Sequence, residues 1–327
     1  MNSIEIKDFL SKKIEDSLLP LINSNYVLWD LPYHINMGDI LIWEGELDFL
    51  KRTSFSLLNS GSAYTVKYPR LKKDVIILLH GGGNFGDIYR SSQDFRNKVI
   101  EKYPDNRIII LPQSIHYNDE NVLIKDMAIF QKHKDLYVCV RDEFSYNTLS
   151  RFLNEKKLLL LPDMAFCIDS KKLIAKHSNK VLFMDRVDCE AVKHQKLNFS
   201  YDIISDWPSF EHENILTKVL RQDVFLQQVF NKVKYKLGVD ICKNFSKRLD
   251  SFMERDVKPF LLDEAIRFIN QYDVIYTTKL HGCILGVLLG KEIHLMDNSY
   301  GKNKRFFDEW LEHYNNIILY KGEGESE

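Results

Sequence analysis

The sequence predicts an α/β protein with two Rossmann-like, parallel-sheet domains facing each other across a cleft. Short apolar runs alternate with helix-type stretches along most of the chain, the pattern of a doubly wound sheet. The runs are continuously apolar, as in strands buried on both faces. And 327 residues exceed one typical domain and suit two.

The first set of strands reads NYVLWDL (25–31), DVIILLH (74–80), RIIILPQ (107–113), LYVCVRD (136–142) and KLLLLPD (157–163). Residues 39–50, 89–103 and 142–154 have helical composition. After Asp163 the texture changes: DSKKLIAKHSNK (169–180) is polar and basic, a crossing between domains. A second set follows: VLFMDR (181–186), YDIIS (201–205), YDVIYTT (272–278) and EIHLMDN (292–298). Between them Ile215, Val219, Leu226, Val229, Phe230 and Val233 recur near the helical period. The expected division is residues 1–168 and 169–303. KRFFDEWLEHY, from Lys304, is expected to bring residues 304–327 back onto the first domain through Phe306, Phe307, Trp310 and Leu311.

With 45 basic and 46 acidic residues, the chain has no bulk charge to attract nucleic acid. Its longest apolar runs, such as Cys283 to Leu289, fall short of a membrane span. MNSIEIKDFLSKKIED lacks a signal-peptide core, so a cytoplasmic location is expected. Five scattered cysteines without a C-x-x-C pair point to reduced thiols. The ten histidines show no ligand spacing for a metal.

In open parallel sheets ligands sit beyond the carboxyl ends of the strands. His80 to Asp87, Gln113 to Tyr117, Arg141 to Ser145, Asp163, Arg186 and Lys279 to Gly282 all follow strands directly. Gly81, Gly83 and Gly86 match the spacing of a dinucleotide-binding turn. However, the next strand ends in Pro112, Gln113 and Ser114, with no acidic residue for a ribose. No Lys-Ser or Lys-Thr follows, so a Walker loop fails too. The expectation is a strand-to-helix turn where missing side chains admit a ligand.

YHINMGDILIWEGE (33–46), LLHGGGNFGD (78–87), LPQSIHY (111–117), VRDEFS (140–145), PDMAF (162–166), TTKLHG (277–282) and MDNSYGKN (296–303) occur in this order. The series resembles the polysaccharide pyruvyl transferase family, over about residues 26 to 310. The resemblance implies the two-domain architecture of B-type glycosyltransferases. It also implies transfer of pyruvate from phosphoenolpyruvate onto two hydroxyls of a sugar, as a cyclic ketal, with phosphate released. One departure is Lys279, where the family shows arginine: the charge remains but the planar fork is lost.

Phosphoenolpyruvate carries a phosphate and a carboxylate, so its site needs fixed donors. The apolar helix after Lys279 offers an anion site at its start, with Leu280, His281 and Gly282 in its first turn. His281 is the candidate acid, and Arg186 a candidate paired donor to an anion. His116, from the first domain, is the rival acid. Asn298, Tyr300 and Lys302, with Ser299 between, would line the donor pocket. Gly82, Gly83, Asn84, Asp87 and Gln113, with Asn36 and Asp39, suit a carbohydrate acceptor, free or lipid-linked; Asp39 and Asp87 suit helix capping equally. No cofactor is expected beyond phosphoenolpyruvate as co-substrate. The alternative is a glycosyltransferase using a sugar nucleotide on the same architecture, but no carboxylate for its ribose follows His281 until Glu292 and Asp297.

Overall fold

The unbroken apolar runs become two parallel sheets in the computed structural model, which describes residues 1–185, 199–208, 214–237, 243–297 and 301–320. The first sheet contains β1 (Tyr26–Trp29), β2 (Leu57–Gly61), β3 (Ile76–Leu79), β4 (Gly82–Gly86), β5 (Ile108–His116), β6 (Leu136–Val140) and β7 (Leu158–Leu160). Their order is β2-β1-β3-β5-β6-β7, with β4 also on β5. The second sheet contains β8 (Val181–Met184), β9 (Ile203–Ser205), β10 (Val274–Thr277), β11 (Glu292–Leu295) and β12 (Ile317–Leu319), in the order β12-β11-β10-β8-β9. Every pairing is parallel. The fold class read from the sequence is the one observed.

Expected helices form as α2 (Met37–Leu50), α3 (Arg90–Lys102), α5 (Glu143–Ser150) and α6 (Ile215–Leu237). Two further helices escaped the sequence reading. In α1 (Ser3–Leu18), Ile6, Leu10, Ile14 and Leu18 repeat every four residues beneath a charged surface, and Asn2 with Glu5 closes a capping box. In α4 (Glu120–Lys132), Leu123, Met127 and Phe130 face inward. A helical run of α7 (Lys243–Phe252), a π turn at Met253–Val257 and α8 (Lys258–Ile269) precedes β10. Then come α9 (Leu280–Leu288) and α10 (Lys302–Phe306), the latter running into a π turn at Phe307–Leu311. Among the described residues no helix is long and apolar enough to cross a membrane.

The glycine segment corrects the sequence expectation. It is not a strand-to-helix turn, because Gly82–Gly86 pair with β5 and α3 starts only at Arg90. Gly82 and Gly86 hold φ of 124° and 133°, where a side chain is strained. At Gly86 a Cβ would also overlap the His116 carbonyl.

Helix α2 is a wall shared by both sheets. Met37 and Leu41 enter the core beneath the second sheet, with Phe166, Met184 and Ile284. Ile40, Ile42 and Trp43 enter a first-sheet core that also takes Leu249, Met253 and Leu261 from α7 to α8. The crossing at 169–180 is tied to this helix: Asp169 N–H donates to Asp48 Oδ2 (2.8 Å), and Lys172 pairs with Asp48 (2.7 Å) and Glu44. The C-terminal segment divides between the units. Trp310 Nε1 donates to the Arg141 carbonyl at 2.8 Å, whereas β12 extends the second sheet.

Gly45 is where α2 touches the turn Met164–Cys167. A Cβ there would overlap the Met164 carbonyl, and backbone cannot rotate away. Gly45→Ala is therefore expected to cost at least about 2 kcal/mol. Urea unfolding measures it, and a loss below about 0.5 kcal/mol would show that the two elements part easily.

Candidate active site

The site grows from Asp163, which follows β7 and is buried. Its Oδ1 accepts the Ala165 N–H (2.9 Å), capping the turn Met164–Cys167. Its Oδ2 accepts Arg141 Nη1 and stands 3.3 Å from His281 Nε2, an ion-pair distance without hydrogen-bond alignment. Burial alone would raise this carboxyl. His281, Arg141 and the Ala165 N–H together hold it well below the usual carboxylate range.

Arg141, at the end of β6, has no solvent exposure. Its Nε donates to Ser114 Oγ at 2.9 Å, while Nη2 has no hydrogen-bond partner among the described residues. That nitrogen points at Gly83: a Cβ built there would lie 3.3 Å from Arg141 Nη2 and 3.0 Å from Lys302 Nζ. The glycine leaves room where two cations from opposite units converge. His281 arrives from the second sheet as the second residue of α9. Its ring occupies space left by Gly38, whose Cβ would lie 2.5 Å from Nδ1. Arg141 and Lys302 thus converge over Gly83, with His281, from the first turn of α9, on the same carboxylate as Arg141, an arrangement suited to an anion.

Asp39 in the first turn of α2 pairs with His34 Nε2 at 2.8 Å. Burial would raise it, but the His34 hydrogen bond and the charges of His34, His80 and His281 lower its pKa to about 2. Beneath it, buried Glu46 accepts from the Gly81 N–H (2.8 Å) and meets His80 Nδ1 (2.8 Å). Burial pulls the His80 pKa down, but Glu46, with the charges of Asp39 and Asp30, outweighs it and the net shift is upward.

Other candidates are placed differently. Asn36 caps α2, accepting from Gly38 N–H at 2.9 Å. Gln113 is buried and donates to the His80 carbonyl at 2.8 Å. Asn84 accepts from Arg96 through its side chain, and Asp87 accepts the N–H groups of Asn118 (2.7 Å) and Asp119 (2.9 Å), fastening a loop. His116 contacts Asn118 Oδ1 at 3.2 Å and lies three residues past Gln113, roughly 10 Å along the strand. Lys279 turns to Asp206 Oδ1 at 2.7 Å. Leu280 and Gly282 are buried, Gly282 against Met184 Sδ. Arg186, Asn298 and Tyr300 lie outside the described residues.

Arg141 and Asp163 were quoted in the motifs but given no role, and His34, Glu46 and His80 were likewise passed over. A strand-end position was the available signal for Arg141, Asp163 and His80. Among the described residues no group of three or more His, Cys, Asp or Glu side chains is placed to hold a metal.

The sequence profile of the polysaccharide pyruvyl transferase family matches residues 36–300. The chain belongs to this family. EpsO of Bacillus subtilis (strain 168), provisionally named a pyruvyl transferase, is 32% identical over 292 residues, spanning 88% of this chain and 86% of that protein. Pyruvyl transferase 1 of Schizosaccharomyces pombe (strain 972 / ATCC 24843) is 25% identical over 86% of this chain and 68% of its own length. A functionally uncharacterised protein from Klebsiella pneumoniae subsp. pneumoniae NTUH-K2044 shares the fold, with a TM-score of 0.56 at 20% identity, over 98% of this chain and 100% of that one. The family profile begins at the α2 cap and so takes in Asp39, Gly83, Arg141, Asp163 and His281.

Because the folded pKa of Asp39 lies below its ordinary 3.8, its contribution to stability is present above that value and fades as pH falls toward 2. Urea unfolding of wild type and Asp39→Asn is expected to give a gap that closes between pH 5 and pH 2. A gap independent of pH in that window would contradict the pairing.

Proposed function

We propose that this polysaccharide pyruvyl transferase takes phosphoenolpyruvate as donor and closes a cyclic pyruvate ketal on two hydroxyls of a sugar. The observation that carries the reading is Nη2 of buried Arg141, without a hydrogen-bond partner among the described residues and aimed with Lys302 at the space over Gly83, near His281 in the first turn of α9. A small dianion or trianion fits such donors, and a buried guanidinium nitrogen gains most from a charged acceptor.

His281 delivers a proton to the methylene carbon of phosphoenolpyruvate, and C2 becomes oxocarbenium-like. A first sugar hydroxyl adds at C2 and gives up its proton. The C2–O bond to phosphorus then breaks, the electron pair leaving with phosphate, and the second hydroxyl closes the ring and loses its own proton. One hydroxyl proton restores His281 and the other leaves on phosphate. Asp163 holds the imidazole in place. Arg141, Lys302 and the α9 N–H groups stabilise the departing phosphate. No cofactor takes part in this scheme beyond the co-substrate.

The acceptor sits on the first unit, in a cavity of about 290 Å³ lined by Tyr33, His34, Tyr64, Tyr68 and Asn84. Tyrosine faces and amide groups suit a sugar. The cavity adjoins the centre, since Asn84 follows Gly83 and His34 pairs with Asp39.

Incubation with phosphoenolpyruvate and a panel of sugars, following phosphate release and product mass, tests the assignment. Ketal formation is expected; consumption of a sugar nucleotide, with phosphoenolpyruvate untouched, would replace it by glycosyl transfer. His281→Gln should lower turnover by about 10²–10⁴ while donor affinity falls modestly. His116→Gln should retain most of the activity. A normal His281→Gln with a dead His116→Gln would move the acid to the first unit.

A further inference from the structure

Helix α6 packs Leu220, Val224 and Phe230 inward, yet it also turns apolar side chains to the surface. Its inward side carries Thr217, Asp223 and Gln227, all buried, together with Leu220. Its outward side carries Ile215, Phe225, Leu226 and Val229, exposed by 75%, 65%, 40% and 37%. On the inward side Ser246 Oγ donates to Gln227 Oε1 at 3.0 Å, and Asp223 Oδ2 stands 3.5 Å from Arg248, an ion-pair distance without a hydrogen bond. Asn231 Nδ2 donates to the Tyr64 carbonyl at 2.8 Å. The helix is therefore firmly seated, and its apolar stripe is outward by construction.

Charge marks the same face. Lys218, Lys232 and Lys236 stand exposed along the stripe. The helix carries five basic residues and a single acidic one, Asp223, which is buried, although the whole chain has a net charge of −1. An apolar stripe with aromatic content, flanked by lysines and free of exposed carboxylates, is complementary to an anionic lipid surface. Lysine stems can lie along the acyl boundary with their ammonium groups among headgroup phosphates. A protein partner of ordinary composition gives no reason for the absence of outward acids. The face also borders the acceptor side: a cavity of about 320 Å³ separates Leu220, Val224 and Phe225 from Tyr33, His34 and Ile35.

We propose that the outward face of α6 docks on the anionic surface of a lipid bilayer, holding the acceptor side of the enzyme against the membrane. The docking stands on the helix alone, whatever the donor or acceptor. It gives a physical means of reaching a sugar carried on a lipid.

Flotation with vesicles of phosphatidylethanolamine and phosphatidylglycerol, against phosphatidylcholine alone, tests it with the full chain. The protein is expected to float with the anionic vesicles, less so as salt is raised, and to stay behind with phosphatidylcholine. Val229→Glu and the double variant Lys218→Glu/Lys232→Glu should each lower the partition coefficient at least about tenfold. Their thermal melts should match wild type, because all three side chains point outward. Failure to float with anionic vesicles, or equal flotation with both kinds, overturns the proposal. So does a dimer that Val229→Glu dissociates without vesicle binding by wild type, which gives the face to a second copy.

Discussion

A carboxylate sealed from water must be paired, and Asp163 is paired across the seam of this molecule. Removing such a charge from solvent is expensive unless its oxygens are all engaged. Here they take Ala165 N–H, Arg141 and His281. Arg141 belongs to the first sheet and His281 to the helix after β10, so one buried acid joins the two units. The same pairing leaves one guanidinium nitrogen without a partner among the described residues, and that nitrogen faces the opening over Gly83. Burial and the joining of the two units are thus two consequences of one ion cluster.

The cluster can exist only because α2 comes close to both units. Gly38 makes room for the His281 ring and Gly45 lets the helix rest on the Met164 carbonyl. From this wall Asp39 and Glu46 look toward the glycine strand, one paired with His34 and the other bonded to Gly81 and His80. Fixed carboxylates thus line α2 beside the glycine strand, while the cations Arg141 and Lys302 converge over Gly83.

Much of this was legible in the sequence. Continuous apolar runs gave parallel strands, and the position of polar residues after them gave the functional edge. His281 was readable because an apolar helix starts at a strand end. The pairing of Arg141 with Asp163 was not, because contacts 22 residues apart depend on strand order rather than on spacing. The glycine segment was misread because G-x-G-x-x-G is compatible with a turn, and only pairing with β5 makes it a strand. His116, the last residue of β5, and Asp87, just after β4, also bond the following loop through Asn118 and Asp119, which spacing alone does not reveal.

The claim that the cluster around Asp163 is the donor site is tested most directly by a crystal structure of the protein soaked with phosphoenolpyruvate. The account predicts an anionic oxygen within hydrogen-bond distance of Arg141 Nη2 and Lys302 Nζ, with His281 beside the methylene carbon. Phosphoenolpyruvate bound in the tyrosine-lined cavity, with Arg141 Nη2 still unpartnered, would contradict it.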